Sequence, residues 1–259
     1  MRHLTINDPL AGVLKDFPGS IFHLPPAMPA VIPTGFPTLD QALGIGGLPR
    51  GRIIDIRGPE SSGKSSLVLS TIAQAQAAGG HGCVIDLDGS LDPVWCRRWG
   101  VDADRLFYAP PRCAEEALEI ADSMVRAGCD VVAIDSTAAM APREEVYESV
   151  NKIKMGDNYA GHGSLMSQAL RKMAGPVGKI GCCLIFVNQL RHKTGVLFGN
   201  PEKTTGANAL DYYSSVAIDL RVQTKIKRTG VVVGNQVRAT IKKNKLAPPF
   251  RTAQIEIGW

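Results

Sequence analysis

The sequence predicts an α/β fold with a mainly parallel central sheet, flanked by helices and continued by an antiparallel extension. Short runs of β-type residues alternate with helical patterns of about 10 to 15 residues, which is typical of parallel strands joined by crossover helices. After Tyr212 the pattern changes to alternating apolar and polar residues, which indicates antiparallel strands. At 259 residues the chain is consistent with one large α/β domain or two small ones, and either would bury a sizeable core.

The individual elements follow from the local patterns. Before Tyr212 we predict strands over residues 52–57, 83–87, 131–135 and 184–188, and helices over residues 65–78, 115–127 and 164–173. Beyond Tyr212 we predict strands over residues 216–222, 231–233 and 237–241. Three runs, at residues 83–86, 131–135 and 182–187, are continuously apolar, as is typical of strands covered on both faces.

Residues 1–33 are predicted to be a separate segment. Asp8 and Pro9 suit the N-cap and first position of a helix, and apolar residues then recur at helical spacing, at Leu10, Val13, Leu14 and Phe17. An extended linker follows because it carries four prolines, Pro25, Pro26, Pro29 and Pro33. We interpret the segment as a helix and linker for subunit assembly. The alternative is a helix that folds back on its own chain.

Composition and charge exclude several classes of protein. Hydrophobic residues make up 44% and charged residues 20% of the chain, and the mean hydropathy is zero, which excludes a disordered or fibrous protein. The apolar runs are too short for a membrane span. The net charge is +5, but nine Lys or Arg against Glu256 alone lie from Arg221 onward. A basic C-terminal segment indicates a polyanionic partner.

The cysteines indicate a reducing compartment. Six cysteines are spread along a chain that shows no secretion signal, and Cys83, Cys182 and Cys183 lie in apolar runs. We therefore expect buried thiols and a cytoplasmic protein. No pair has CxxC spacing and the five histidines show no ligand spacing, so a zinc site is not expected.

A phosphate-binding loop is the strongest motif in the sequence. The pattern GxxxxGK[ST] is matched by Gly58, Pro59, Glu60, Ser61, Ser62, Gly63, Lys64 and Ser65. It follows a predicted strand and opens a predicted helix, so backbone N–H groups can bind phosphate oxygens while Lys64 reaches the β/γ-phosphates and Ser65 binds Mg²⁺. The pattern predicts a nucleotide-binding ATPase core over residues 34–259. The alternative is a Gly/Ser loop without function.

Three carboxylates follow predicted central strands. Asp135 ends the strand at residues 131–135, which fits the acidic group that holds Mg²⁺ through water, although an Asp at a strand end is also a common N-cap. Asp86 and Asp88 end another strand and point to the same side, so either could orient a water molecule.

These motifs, with several others, resemble the bacterial RecA recombinase family. The resemblance is carried in order by residues 46–53, 58–65, 91–93, 133–136, 188–191, 198–202 and 243–245, and it runs from about residue 17 to residue 257. It implies a RecA-like P-loop ATPase fold. It also implies a DNA-dependent ATPase that polymerises on single-stranded DNA with ATP and Mg²⁺ between subunits, and then pairs and exchanges homologous strands.

The resemblance assigns roles to further residues around the nucleotide. Gln189 corresponds to the γ-phosphate sensor that links the nucleotide to the DNA loop, and Trp95 stands where the family has a Tyr over adenine. Lys243 and Lys245 correspond to the pair that reaches a neighbouring subunit's γ-phosphate, the alternative being a solvated basic strand end. Further nucleotide-binding positions are Ser66 and Pro249.

Asp88 stands where the family has the Glu that activates the attacking water. Since Asp is one methylene shorter, we expect slow ATP hydrolysis. The alternatives are a backbone that has shifted to compensate, or Glu60 as the residue that positions the water.

Two Gly- and Lys-rich stretches, residues 144–163 and 190–208, resemble the family's paired DNA-binding loops. The matching DNA-contacting positions are Tyr159, Ser167, Arg171, Arg191, Gly206 and Asn208. The alternative is a pair of plain solvated loops.

The sequence departs from the family at several places. Thr194 replaces an apolar Ile wedge, Tyr159 is the counterpart of a Met wedge, and Asp211 and Ala217 replace basic residues of the subunit interface. The sequence ends at Trp259, so we expect the family's C-terminal domain, which helps capture duplex DNA, to be missing.

Three functions are consistent with these observations. The first is an ATP-dependent recombinase for DNA repair, a homo-oligomer in a helical filament or ring, with single-stranded DNA and homologous duplex DNA as partners and no membrane. The second is a RecA-like accessory protein that uses ATP as a conformational ligand, without strand exchange. The third is a hexameric motor ATPase with the same core fold.

Overall fold

The computed structural model describes residues 13, 15–16, 30–147, 159–192, 202–204 and 207–259. Most of the predicted N-terminal helix and linker therefore lies outside the described residues. Within that segment, Val13, Lys15 and Asp16 are helical and exposed. Val31–Ile32 pairs with Leu48–Pro49, and Ile32 is buried in the main core, so the last residues of the predicted linker pack on the core. The assembly role of residues 1–33 stays a prediction.

The described helices and strands alternate along most of the chain. The strands are β1 Val31–Ile32, β2 Leu48–Pro49, β3 Arg52–Gly58, β4 Gly82–Asp86, β5 Leu106–Ala109, β6 Val131–Asp135, β7 Cys183–His192, β8 Glu202–Thr204, β9 Val216–Arg228, β10 Val231–Asn244 and β11 Thr252–Gly258. The α-helices are α1 Pro37–Leu43, α2 Lys64–Ala77, α3 Pro93–Arg98, α4 Ala114–Arg126, α5 Arg143–Tyr147, α6 Tyr159–Ile180 and α7 Ala207–Tyr213.

The large sheet has a parallel centre and an antiparallel edge. Its strand order is β11-β10-β9-β3-β7-β6-β4-β5, and β8 pairs with the end of β7. The strands from β9 to β5 pair in parallel, whereas β10 is antiparallel to both β9 and β11. The predicted α/β class, with its mainly parallel sheet and antiparallel extension, is confirmed.

Both faces of the sheet are covered by helices because successive strand residues point to opposite sides. On one face, Ile54 and Ile56 of β3 pack in a core with α1 and α2. On the other face, Ile53 of β3 and Phe186 of β7 pack with α4, α6 and α7. We call these the α2 face and the α6 face.

Several elements differ from the predictions. β7 continues to His192 and pairs with β8, and α7 begins at Ala207, so the predicted loop at residues 190–208 is partly regular structure. α6 extends past the predicted end at residue 173, with Pro176 inside it, because Val177 in its last turn is buried in the core. β10 is one strand where two were predicted, since a register shift between Val232 and Gly234 carries the ladder through the glycine.

The six cysteines are free and buried, which confirms the expectation for Cys83, Cys182 and Cys183. Burial raises the pKa of Cys83 to about 12 and that of Cys129 to about 11, so these thiols stay protonated. Among the described helices, none has the length and apolar character needed to cross a membrane.

Candidate nucleotide site

The candidate site lies where four parallel strands end at one edge of the sheet. Gly58 at the end of β3 is in register with Gln189 of β7, and Asp86 at the end of β4 is in register with Asp135 of β6. Each of these residues continues the alternation that faces α2. The strand ends therefore place a loop, an amide and two carboxylates on the same face of the sheet.

The phosphate-binding loop joins β3 to α2 and has the strained backbone that such a loop needs. Ser61 and Gly63 adopt left-handed conformations with φ of 56° and 91°. A Cβ atom on Gly63 would lie 1.9 Å from the Ile257 Cδ1 atom, and one on Gly58 would lie 2.6 Å from the Leu220 carbonyl oxygen. Gly58 is therefore required by its close approach to the Leu220 backbone and Gly63 by its left-handed φ, and among the described residues no side chain caps the start of α2.

Lys64 is buried within this loop. Its Nζ atom donates a hydrogen bond of 2.8 Å to the carbonyl oxygen of Pro59. Burial lowers the pKa of Lys64, and the charges of Asp135 and Glu60 act in the opposite direction. The ammonium group of Lys64 has three N–H donors. Because the Pro59 carbonyl oxygen takes up one of them, the group can also donate to an anion bound in the loop.

Ser65 and Asp135 bring two hard oxygen donors together. The Ser65 hydroxyl donates a 2.5 Å hydrogen bond to the Asp135 carboxylate. Burial raises the pKa of Asp135, and the contacts with Ser65 and Lys64 oppose that rise. Ser136, not Asp135, precedes the short 3₁₀ helix Thr137–Ala139, so the N-cap alternative for Asp135 does not hold. Adjacent hydroxyl and carboxylate oxygens are ligands that Mg²⁺ prefers.

Asp86 and Asp88 have different environments. The buried Asp86 carboxylate accepts hydrogen bonds from the backbone N–H groups of Asp88 and Leu91, at 3.2 and 2.9 Å, and from the Tyr108 hydroxyl at 3.4 Å. Asp86 therefore holds the turn that follows β4. Asp88 is exposed, and burial of part of its carboxyl together with the Asp86 charge raises the pKa of Asp88. Of the two carboxylates, Asp88 is the one free to contact a water molecule.

A cavity of about 410 Å³ lies against the loop, and its volume suits part of a nucleotide. Trp95 and Trp259 contribute aromatic rings, while Asn235 and Ser62 each have a buried side-chain oxygen that finds no hydrogen-bond partner among the described residues. Its full lining is Ser61, Ser62, Gly63, Lys64, Ser65, Ser66, Trp95, Asn235, Val237, Ile257 and Trp259. Unpartnered polar atoms next to aromatic rings fit a ligand that has both a flat ring and hydrogen-bonding groups.

A second cavity of about 230 Å³ adjoins the first, since Trp95 and Ser65 line both. Asp86 and Asp135 are also in its wall. Trp95, which the family resemblance predicts to contact adenine, therefore lies where the two cavities meet. Pro249 is exposed in the turn after β10 and is absent from the lining of both cavities.

Lys243 and Lys245 lie on the other side of the sheet. A register shift after Ile241 pairs Lys243 with Ala217, which is itself in register with Asp55 on the α6 face. The Lys243 Nζ atom donates to the carbonyl oxygens of Asp211 and Tyr212 at the end of α7, and Lys245 donates to that of Tyr212 at 3.5 Å. Burial and the Lys245 charge lower the pKa of Lys243. Neither lysine lines the cavity of its own subunit.

The residues predicted to bind DNA are only partly described. Ser167 and Arg171 lie one turn apart on α6, where the Ser167 hydroxyl donates to the Gly163 carbonyl oxygen at 2.8 Å and Arg171 is exposed. The backbone of Tyr159 opens α6, and that of Arg191 pairs with Lys203 in β8. Gly206 and the side chains of Tyr159, Arg191 and Asn208 lie outside the described residues, as does Thr194.

Trp259 and Asn235 were missed from the sequence. The strands that carry them, β10 and β11, lie beyond β9 in the sheet, and their antiparallel pairing, with Asn235 opposite Ile257, sets these residues beside the loop. The one local feature that could have pointed to Trp259 is that it is an aromatic residue directly after a strand of alternating polar and apolar residues.

Comparison with known proteins places these features in a family. The model of the RecA N-terminal domain matches residues 6–259. Protein RecA of Azospirillum lipoferum is 53% identical over 229 residues, which cover 88% of this chain and 62% of that protein. Protein RecA of Bifidobacterium longum is 48% identical over 99% of this chain and 65% of its own length, and that of Clostridioides difficile is 47% identical over 97% and 73%. The chain thus spans about two thirds of the length of these relatives, and it belongs to the RecA family.

Proposed function

We propose that this protein is an ATP-dependent, single-stranded-DNA-binding recombinase that forms nucleoprotein filaments and promotes homologous pairing and strand exchange. The position of Gln189 is the observation that carries the proposal. It lies beside Gly58 at the start of the phosphate-binding loop, and its strand leads into the segment predicted to bind DNA. The end of this strand would therefore join the candidate nucleotide site to the predicted DNA segment. The Protein RecA relatives and the family match support this function.

ATP and Mg²⁺ fit the residues that are present. The loop and Lys64 would hold the phosphates, Ser65 would bind Mg²⁺ directly, and Asp135 would bind it through water. Trp95 and Trp259 would enclose the base. When bound, Mg²⁺ neutralises charge on the β- and γ-phosphate oxygens. Ser66 lines the same cavity, and Pro249 is kept as a candidate for contact from a neighbouring subunit.

Asp88 is the proposed general base. Its exposed carboxylate would accept a proton from the attacking water, while Gln189 would sense the terminal phosphate across from Gly58. Because the carboxylate of Asp is about 1.5 Å shorter in reach than that of Glu, we propose that turnover is slow.

Lys243 and Lys245 are proposed to act on the neighbouring subunit. They lie on the α6 face, away from their own loop, so they suit a nucleotide bound at an interface between copies. There their charges would stabilise negative charge on the transferred phosphoryl group, as an arginine finger does.

DNA binding is proposed for Ser167 and Arg171 on the exposed side of α6, together with Tyr159, Arg191, Gly206 and Asn208. A flexible strand is bound mainly through its phosphates, so cations and backbone amides are suitable contacts.

Strand exchange between a circular single strand and a homologous linear duplex tests the proposed function. With ATP and Mg²⁺ we expect joint molecules and then exchanged product. Lys64→Ala should give neither, because the phosphate contact is lost, while Lys179→Ala on the far end of α6 should behave like the parent. DNA binding by the parent without joint molecules would instead favour the accessory function.

Gly63→Ala should abolish tight ATP binding while the protein stays folded. The new Cβ meets Ile257, and the left-handed backbone costs about 1–2 kcal/mol for a residue other than glycine. We expect at least a roughly tenfold loss of affinity for a fluorescent ATP analogue in equilibrium titrations. The control is Gly175→Ala, which enters open space in α6 and should leave affinity unchanged. Equal affinities in the two variants would show that the loop does not hold the phosphates.

ATP binding should change tryptophan fluorescence through two residues rather than one. Trp95 and Trp259 both line the cavity. Trp99 does not line it, but packs on Phe36 and edge-on against Trp95, with ring centroids 5.9 and 6.1 Å apart. Trp95→Phe and Trp259→Phe should each remove part of the signal and retain binding, since Phe can still stack. Most of the signal should persist in Trp99→Phe, because Trp99 does not line the cavity and can affect the signal only through the Trp95 ring beside it. A signal that survives in the variant lacking both cavity indoles contradicts the base assignment.

Asp88→Glu should speed ATP hydrolysis, and Asp88→Asn should nearly stop it, because one restores reach and the other removes the base. The gain from restored alignment can be as large as about a hundredfold. Single-turnover hydrolysis on saturating single-stranded DNA measures it, with Asp104→Asn as an exposed carboxylate control away from the site. If Asp88→Asn hydrolyses ATP at the parent rate, Glu60 becomes the better candidate.

A further inference from the structure

A chain of hydrogen-bonded polar side chains crosses the α6 face directly behind the nucleotide site. We call it the polar relay, and its members are Thr137, Asn188, Asp55, Arg57 and Asp211. The Thr137 hydroxyl donates to the Asn188 side-chain oxygen, and Asn188 Nδ2 donates to Asp55 at 2.8 Å. Arg57 Nε donates to the other Asp55 oxygen at 2.6 Å, and the Arg57 Nη2 atom reaches the Asp211 carboxylate on α7.

Two relay members directly precede candidate nucleotide residues on the same strand. Asn188 precedes Gln189 on β7, and Arg57 precedes Gly58 on β3. Because neighbouring strand residues face opposite sides, each of these two relay residues is adjacent in the backbone to a candidate nucleotide residue that faces α2. Thr137 follows Asp135 by two residues. The relay and the candidate nucleotide residues thus share the same stretches of backbone.

Three relay members are anchored and one end is exposed. Thr137, Asn188 and Asp55 are fully buried, so breaking their contacts would leave uncompensated polar groups in the core. Arg57 is 18% exposed, and Asp211 is 52% exposed. The exposed end is therefore the place where an external event can act on the relay without unfolding the core.

That exposed end lies on the helix where the predicted DNA segment returns to the core. α7 begins at Ala207, between the predicted DNA residues Gly206 and Asn208. Its last carbonyl groups accept hydrogen bonds from Lys243 and Lys245. The same turn of α7 is thus held by Arg57 through a carboxylate and by the two lysines through carbonyl groups.

We propose that the Arg57–Asp211 pair is a positioning pair that couples single-stranded DNA binding to ATP binding. It does so by fixing α7 to the relay behind Gly58 and Gln189. This inference rests on the proposed function, since it assigns the route by which the DNA segment and the nucleotide site act on each other. It predicts that loosening the pair reduces the coupling between the two ligands while each site keeps its own contacts. A pair that merely stabilises the fold would leave the coupling unchanged.

The coupling is measured as the ratio of two affinities. A non-hydrolysable ATP analogue with Mg²⁺ is titrated into the full chain with and without saturating oligo(dT), and oligo(dT) affinity is measured with and without the analogue. Linkage requires the same factor from both directions, and about five- to 150-fold is typical of coupled sites.

Asp211→Asn is the test variant because it removes the charge at the exposed end and leaves the buried relay paired. A partly exposed ion pair is worth a roughly two- to fivefold effect, so we expect the coupling factor to fall by that amount. Affinity for the ATP analogue alone should stay within about twofold of the parent. Asp211→Glu retains a carboxylate and should retain the parent coupling.

Asp122→Asn is the matched control, since it breaks an ion pair with Arg126 on α4, at 2.8 Å, and neither residue lines the two cavities or belongs to the predicted DNA positions. Coupling in Asp211→Asn equal to that in Asp122→Asn overturns the inference and leaves the proposed function standing. A parent that binds both ligands with no coupling overturns the inference as well. A parent that does not bind oligo(dT) overturns the proposed function itself.

Discussion

The parallel pairing of β3 with β7 is the constraint on which the rest of the site depends. In this register Gly58 lies beside Gln189 and Arg57 lies beside Asn188. If either strand slipped by one residue, the side chains on its two faces would exchange places. The buried amide of Asn188 would then lie beside the phosphate-binding loop. Buried apolar residues on both faces prevent such a slip, because Ile54 and Phe186 would then lose their packing. The hydrophobic core thus sets the geometry of the polar groups at the strand ends.

Burial makes the charges of the site depend on one another. Lys64 and Asp135 are each destabilised as ions by desolvation, and each is partly compensated by the other. Asp86 and Asp88 add negative charge at the same edge, and the Asp86 carboxylate is already taken up by the turn it holds. A phosphate near Lys64 would meet a positive charge that is only partly compensated. A divalent cation near Asp135 would likewise meet a negative charge that is only partly compensated. The site is therefore electrostatically suited to a metal–nucleotide pair rather than to either component alone.

Sequence reasoning succeeded where the signal is local and failed where it depends on long-range register. The glycine spacing of the phosphate-binding loop and the apolar strand before Asp135 are contiguous patterns, and the parallel centre of the sheet followed from the alternation of short strands with helical patterns. Gln189, Trp95 and the two lysines came only from the family resemblance, because nothing local relates them to the loop. The edge strands β5 and β11 were missed: β5 exposes Phe107 and Tyr108 instead of alternating, whereas β11 alternates over seven residues and still was not predicted. The polar relay was hidden for a similar reason, since Asp55 and Asn188 look like interruptions of apolar strands until their pairing is known.

The same alternation that separates the two faces also explains how one subunit can present different chemistry on each side. β3, β6 and β7 place their candidate nucleotide residues toward α2, and the residues before or after them toward α6. The register shift after Ile241 continues this division, because it turns Lys243 to the α6 face, where the end of α7 and Asp55 lie. Without that shift, strict alternation would put Lys243 on the same side as Ile241, over the core shared with α2. One extra residue in β10 thus decides whether this lysine lies over its own subunit's core or beside the helix at which the predicted DNA segment returns.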